Sequence, residues 1–179
     1  MGKAIGMIET NSIARGIEAC DFMIKAARVE LLRSTTVCPG KYIVLVGGET
    51  SEVSAAMEIG KEISGGYLVD SLLIPNVHEQ VLTAVHGAVD VDPRGAVGLI
   101  EFYSLASAIQ AADIAVKAAE ITLIEVRVGY AVGGKGFVTL CGDVSAVNAA
   151  VEAAAAETEL LVDTCVIPRP DSALLTQLL

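Results

Sequence analysis

The chain contains no tryptophan, and aromatic residues make up only 4% of its 179 positions, so its interior must be built from many small aliphatic contacts rather than a few large rings. Cations are also scarce. Twelve Lys and Arg stand against 22 Asp and Glu, a net charge of -10, and the basic residues form no run. A phosphate backbone is held by a basic patch, so no nucleic-acid partner is expected. Long uncharged apolar stretches are missing as well, although hydrophobic residues reach 53% and the mean hydropathy is +0.60. Charges such as Lys3, Glu9, Arg15, Asp21 and Lys25 interrupt each segment before it attains the roughly 18 residues of a membrane helix. The opening Met1-Gly2-Lys3 runs into Glu9 without a secretory pattern. No membrane partner is expected, and the cytoplasm is the default location. The four cysteines, Cys20, Cys38, Cys141 and Cys165, lie far apart without a C-x-x-C pair, and only His78 and His86 could add imidazoles. One chain therefore offers no familiar metal site.

What the sequence does contain is one unit written twice. Ala4-Ile5-Gly6-Met7-Ile8-Glu9 returns as Ala96-Val97-Gly98-Leu99-Ile100-Glu101, and Ser12 returns as Ser104. Asp21-x-x-x-Lys25-Ala26-Ala27 returns as Asp113-x-x-x-Lys117-Ala118-Ala119, and Val29-x-Leu31 as Ile121-x-Leu123. After a slightly longer loop in the second copy, Lys41 matches Lys135, Gly48 matches Gly142, Ala55-Ala56 matches Ala149-Ala150, and Leu73-Ile74-Pro75 matches Val166-Ile167-Pro168. Two tandem domains are predicted, residues 1–90 and 91–179, with residues 90–95 as the linker around Pro93 and Gly95.

Each copy reads β-α-β-β-α-β, an α/β plan of the α+β, ferredoxin-like kind. In the first copy, residues 5–10 form a strand and Ser12 caps a helix whose Ile13, Ile17, Cys20 and Ile24 share one face, the spacing of an inward stripe. Residues 29–37 and 41–46 form strands around the Cys38-Pro39-Gly40 turn, followed by a helix over 51–63 and a strand over 67–74. The second copy repeats this at 97–102, 104–119, 121–130, 137–141, 145–156 and 160–167, and residues 76–87 add a short helix. His78 and His86, two turns apart there, read as a surface pair. Cys20, Cys141 and Cys165 read as packing residues rather than ligands.

Cys38 is less settled by its residues alone. A free cysteine is commonly a small buried hydrophobe, yet Pro39 and Gly40 place this one at a tight loop. Lys25 and Lys117 read as solvated. Gly133-Gly134-Lys135-Gly136 lacks the G-x-x-x-x-G-K-[ST] spacing of a phosphate loop, and carboxylate pairs such as Glu157 and Glu159 have no neighbouring His or nucleophile. No catalytic residues are expected.

These residues together resemble the bacterial microcompartment shell-protein domain, in tandem and non-permuted form, over almost the whole chain. The likeness is carried by the Ala-Ile-Gly-x-Ile-Glu strand, the two Asp/Lys-Ala-Ala helices, the Gly47-Gly48 and Gly142-Asp143-Val144 turns, and Ile167-Pro168-Arg169-Pro170. Val37-Cys38-Pro39-Gly40-Lys41 together with Gly133-Gly134-Lys135 resembles the T-type subunits of propanediol-utilisation compartments. The resemblance implies a structural role in a shell within the bacterial cytoplasm, as a homotrimer whose six domains make a pseudohexameric tile. Other shell hexamers and trimers would be its partners, with encapsulated enzymes or redox proteins as further ones. It also implies one 4Fe-4S cluster per trimer for electron transfer or cluster delivery. A cluster of that type takes four thiolates, and a threefold axis would gather three copies of Cys38. Val37, Pro39, Gly40, Gly133, Gly134 and Lys135 would then line the central loop. Lys25, Lys117 and Arg169 would sit at the tile edge, where the first copy's Asn76 stands in place of the Arg. The other readings are a shell trimer whose Cys38 loop is a bare metabolite pore, and a soluble ligand-binding protein built on the same plan.

Overall fold

The computed structural model describes residues 4–89, 95–129 and 132–174. The linker expected at 90–95 lies outside the described residues except for Gly95, as do Tyr130 and Ala131. Two compact units are present. Residues 4–77 with Gly129 and 132–134 form the first, and 78–128 with 135–174 form the second. No helix among the described residues is long and apolar enough to cross a membrane.

The first unit runs β1 (Ala4–Thr10), α1 (Ile13–Ala26), β2 (Glu30–Val37), β3 (Lys41–Gly48), α2 (Thr50–Ser64) and β4 (Leu68–Ile74), with a 3-10 turn at Gly65–Tyr67. Its strands pair antiparallel in the order β2-β3-β1-β4, the order of a split βαβ sheet. Ser12 starts α1 as the sequence predicts, its hydroxyl accepting from the Arg15 N–H at 3.3 Å. One sheet face, carrying Ala4, Ile8, Val44 and Val46, packs on Ala19, Cys20 and Met23 of α1 and on Val53, Ala56 and Met57 of α2.

The inward stripe expected on α1 is only partly observed. Cys20 is buried, but Ile13, Ile17 and Ile24 are 39%, 52% and 41% exposed. The buried side instead carries Gly16, Ala19 and Met23. Small residues bring the helix close to the sheet: a Cβ on Gly16 would lie 2.7 Å from Thr10 Oγ1 and from the Tyr42 ring.

The second unit begins with α3 (Glu79–His86) and continues β5 (Ala96–Phe102), α4 (Leu105–Ala118), β6 (Thr122–Val128), β7 (Gly136–Gly142), α5 (Val144–Glu157) and β8 (Leu161–Pro168). Its sheet order, β6-β7-β5-β8, repeats the first, and Ser104 caps α4 through the Ser107 N–H at 3.2 Å. The extra helix forms where the sequence predicts it, but residues 78–89 pack in the unit that follows them in the chain. Gln80 explains why: its Nε2 donates to the Ile121 carbonyl at 3.3 Å, and its Oε1 accepts from the Leu123 N–H at 2.8 Å. It thereby satisfies backbone at the open edge of the sheet, where β6 has no neighbouring strand. The His78 N–H also donates to Asp113 Oδ1 at 2.8 Å.

Candidate functional site: the Cys38 loop and the exposed faces

The β2–β3 connection is a tight turn in which the Gly40 N–H donates to the Val37 carbonyl at 3.1 Å. Val37 closes β2 and is buried, whereas Cys38, Pro39 and Gly40 are exposed. The Cys38 N–H donates to the Gly129 carbonyl at 3.1 Å. Gly134 lies against the same turn: a Cβ there would be 2.8 Å from the Cys38 carbonyl oxygen and 2.9 Å from Pro39 Cδ. Its φ of +84° independently favours glycine. The structure thus brings Cys38, Pro39 and Gly40 together with Gly133 and Gly134 within one compact unit. Lys135 follows these glycines and is paired. Its ammonium donates to Glu101 Oε1 at 2.9 Å, and this acceptor holds its pKa above the ordinary lysine value. The ammonium also lies 5.8 Å from the centre of the Tyr103 ring.

Among the described residues, no three His, Cys, Asp or Glu side chains of one chain gather into a metal-binding group. Cys38 stands exposed on a turn whose backbone is fixed by hydrogen bonds that leave the thiol out. That arrangement fits a ligand contributed once per chain to a group shared by several chains.

The ion pair beneath this loop differs between copies. Lys41 donates to Glu9 Oε1 at 2.6 Å with the carboxylate fully buried, whereas Lys135 and Glu101 each keep 38% of their side-chain surface exposed. At the expected tile edge the inequality is reversed. Lys25 pairs with Asp21 at 2.6 Å, the two being 71% and 51% exposed. Lys117 pairs with Asp113, whose side chain is only 8% exposed. Arg169 is exposed just past β8, with its N–H donating to the Gly95 carbonyl at 2.7 Å.

Larger differences appear on two apolar faces. Ile13 and Ile17 of α1 are exposed, but their counterparts Leu105 and Ile109 of α4 are both 0% exposed. The inverse holds for the sheet face away from the helices. In the first unit Met7 and Leu72 are buried, while Ile5 and its counterpart Val97 are both buried. In the second, the cross-strand pair of Leu99 and Cys165 occupies the places of Met7 and Leu72, and Cys165 is exposed. Leu99, Ile100, Phe137, Thr164 and Cys165, with Glu101 and Asp163, line an open cavity of about 310 Å³ there. The packing role expected for Cys165 is therefore not fulfilled within the chain, while Cys20 and Cys141 are buried. His78 and His86 form no pair: His78 Nδ1 accepts from the Gln80 N–H at 3.3 Å, and His86 Nδ1 meets the Leu82 carbonyl at 2.7 Å.

Comparison with known proteins matches the BMC domain model twice, over residues 4–77 and 96–170. The bacterial microcompartment shell protein PduT of Citrobacter freundii is 47% identical over 99% of this chain and 98% of its own length. The carboxysome shell protein CcmK2 of Thermosynechococcus vestitus is 38% identical over 82 residues, covering 44% of this chain and 80% of that protein. A crystal structure of a microcompartment protein from Desulfitobacterium hafniense superposes with a TM-score of 0.89 at 47% identity, covering 98% of this chain and 99% of that one.

Proposed function

As a member of the BMC-domain family of bacterial microcompartment shell proteins, the chain is a structural shell subunit, and we propose that three copies close into a six-domain tile around an axis lined by their Cys38 loops. The observation that carries this reading is the inversion of burial between the two copies. A helix face and a sheet face of the same sequence plan are covered in one copy and open in the other. Ile13, Ile17 and Ile24 of one chain would seat on the Leu99, Phe137 and Cys165 face of the next. Such a head-to-tail contact uses two different patches, and it generates a closed ring when the rotation closes. With two domains per chain, three chains complete a sixfold plan.

At the centre, three exposed Cys38 thiolates would ligate three irons of one 4Fe-4S cluster, leaving the fourth iron to a non-protein ligand or another residue. When bound, the cluster supplies one-electron redox chemistry. The chain's part is to hold the thiol on a rigid turn, through the Cys38–Gly129 hydrogen bond and the close approach of Gly134. At the outer edge, Lys25, Lys117 and Arg169 would meet neighbouring tiles, and the different pairing of the two lysines makes alternate edges unlike.

Cys165 tests the seam directly. In a Cys38→Ser background it is the exposed thiol of the single chain, Cys20 and Cys141 being buried. Alkylation of the native protein should leave Cys165 unmodified, with rapid labelling once denaturant separates the chains. Labelling of the native protein at the denatured rate would mean that nothing covers this face.

A further inference from the structure

The proposed ring has a second component at each seam, visible in how α3 is used. In the second unit α3 shields the open edge at β6: Val81 and Ala84 are 0% exposed, Val85 3%, and Leu123 beneath them 1%. The corresponding edge of the first unit, β2, carries Leu31 at the place of Leu123, and Leu31 is 42% exposed.

The chain also carries a second version of the α3 sequence. Continuing the register of Pro75 on Pro168, Glu-Gln-Val-Leu-Thr-Ala-Val-His at 79–86 aligns without a gap on Ser-Ala-Leu-Leu-Thr-Gln-Leu-Leu at 172–179. Both begin in the same way. The His78 side chain accepts from the N–H two residues on, at 3.3 Å, and its carbonyl accepts from the Val81 N–H at 3.0 Å. The Asp171 side chain accepts from the Ala173 N–H at 2.8 Å, and its carbonyl accepts from the Leu174 N–H at 3.1 Å. Residues 172–174 are helical. Yet Leu174, the counterpart of the fully buried Val81, is 39% exposed. Among the described residues, one strand edge thus lacks a covering helix, and one helix start lacks an edge to cover.

We infer that the segment beginning at Asp171 of one copy docks across the β2 edge of the next copy, with Leu174 covering Leu31 as α3 covers Leu123. This rests on the ring assembly proposed above and adds a carboxy-terminal strap to each seam. Ala173 stands where Gln80 bridges the β6 backbone, so the strap is held by apolar contact and lacks those two hydrogen bonds.

The test is a double variant, Leu31→Cys with Ala173→Cys, in a Cys38→Ser, Cys165→Ser background, treated with a short bismaleimide while native mass spectrometry records the assembly state. The expected result is covalent dimers and trimers on a denaturing gel. A trimer without links, or with links only inside one chain, overturns the strap and leaves the ring intact. A monomer overturns both. Independently, Leu174→Glu should weaken trimer association by roughly tenfold or more, since a leucine buried at the seam contributes at least that factor. Unchanged association of this variant would also overturn the strap.

Discussion

Ile17→Glu should leave the chain folded and convert the proposed trimer into monomers. In the single chain Ile17 is 52% exposed, and a substitution at such a position ordinarily changes stability by less than about 0.5 kcal/mol. At the seam the same change removes about 1.5 to 3 kcal/mol of apolar burial. It also forces an unpaired carboxylate out of water at several kcal/mol more, and the cost recurs at all three contacts of the ring. Equilibrium unfolding of the monomer and sedimentation of the assembly separate these effects. Ile109→Glu, the same substitution one copy later, supplies the contrast. Ile109 is 0% exposed within the chain, so this variant should lose folding stability itself, by at least about 3 kcal/mol. An Ile17→Glu protein that remains trimeric would remove α1 from the seam.

Cys38→Ser should abolish the cluster and preserve the tile. Anaerobically purified wild type is expected to hold about four irons and four sulfides per trimer, falling to near zero in the variant together with the visible absorption. The trimer mass should not change. The contacts that fix the turn run through the Cys38 N–H, the Cys38 carbonyl beside Gly134, and Pro39, so none of them uses the thiol. Cys165→Ser serves as the control and should retain full iron content. Iron and absorption that persist in Cys38→Ser would reject the ligand assignment.

The duplicated plan was legible because strand alternation, the serine caps and the Cys38-Pro39-Gly40 turn are local signals, each set by a few neighbouring residues. Which surface each apolar stripe meets was not legible. Periodicity identified Ile13, Ile17 and Ile24 as a face that avoids water, but it carries no information on whether the cover comes from the same chain or from another. The inward reading of α1 failed on that point, and the packing role read for Cys165 failed in the same way. The position of α3 was hidden for a related reason: its partners, the Ile121 carbonyl and the Leu123 N–H, are backbone groups that leave no mark in the sequence. The pairing of Lys135 was legible in the repeat. The conservation between copies of Glu9 with Lys41 and of Glu101 with Lys135 already marks a repeated ion pair, and the structure shows both.

Native mass spectrometry of the anaerobically purified 179-residue chain tests the central claim most directly. The account predicts one species at three times the 18.5 kDa chain mass, carrying the added mass of a single 4Fe-4S cluster. A monomer or a dimer at working concentration would contradict the ring, and a trimer without the cluster would contradict the role of Cys38.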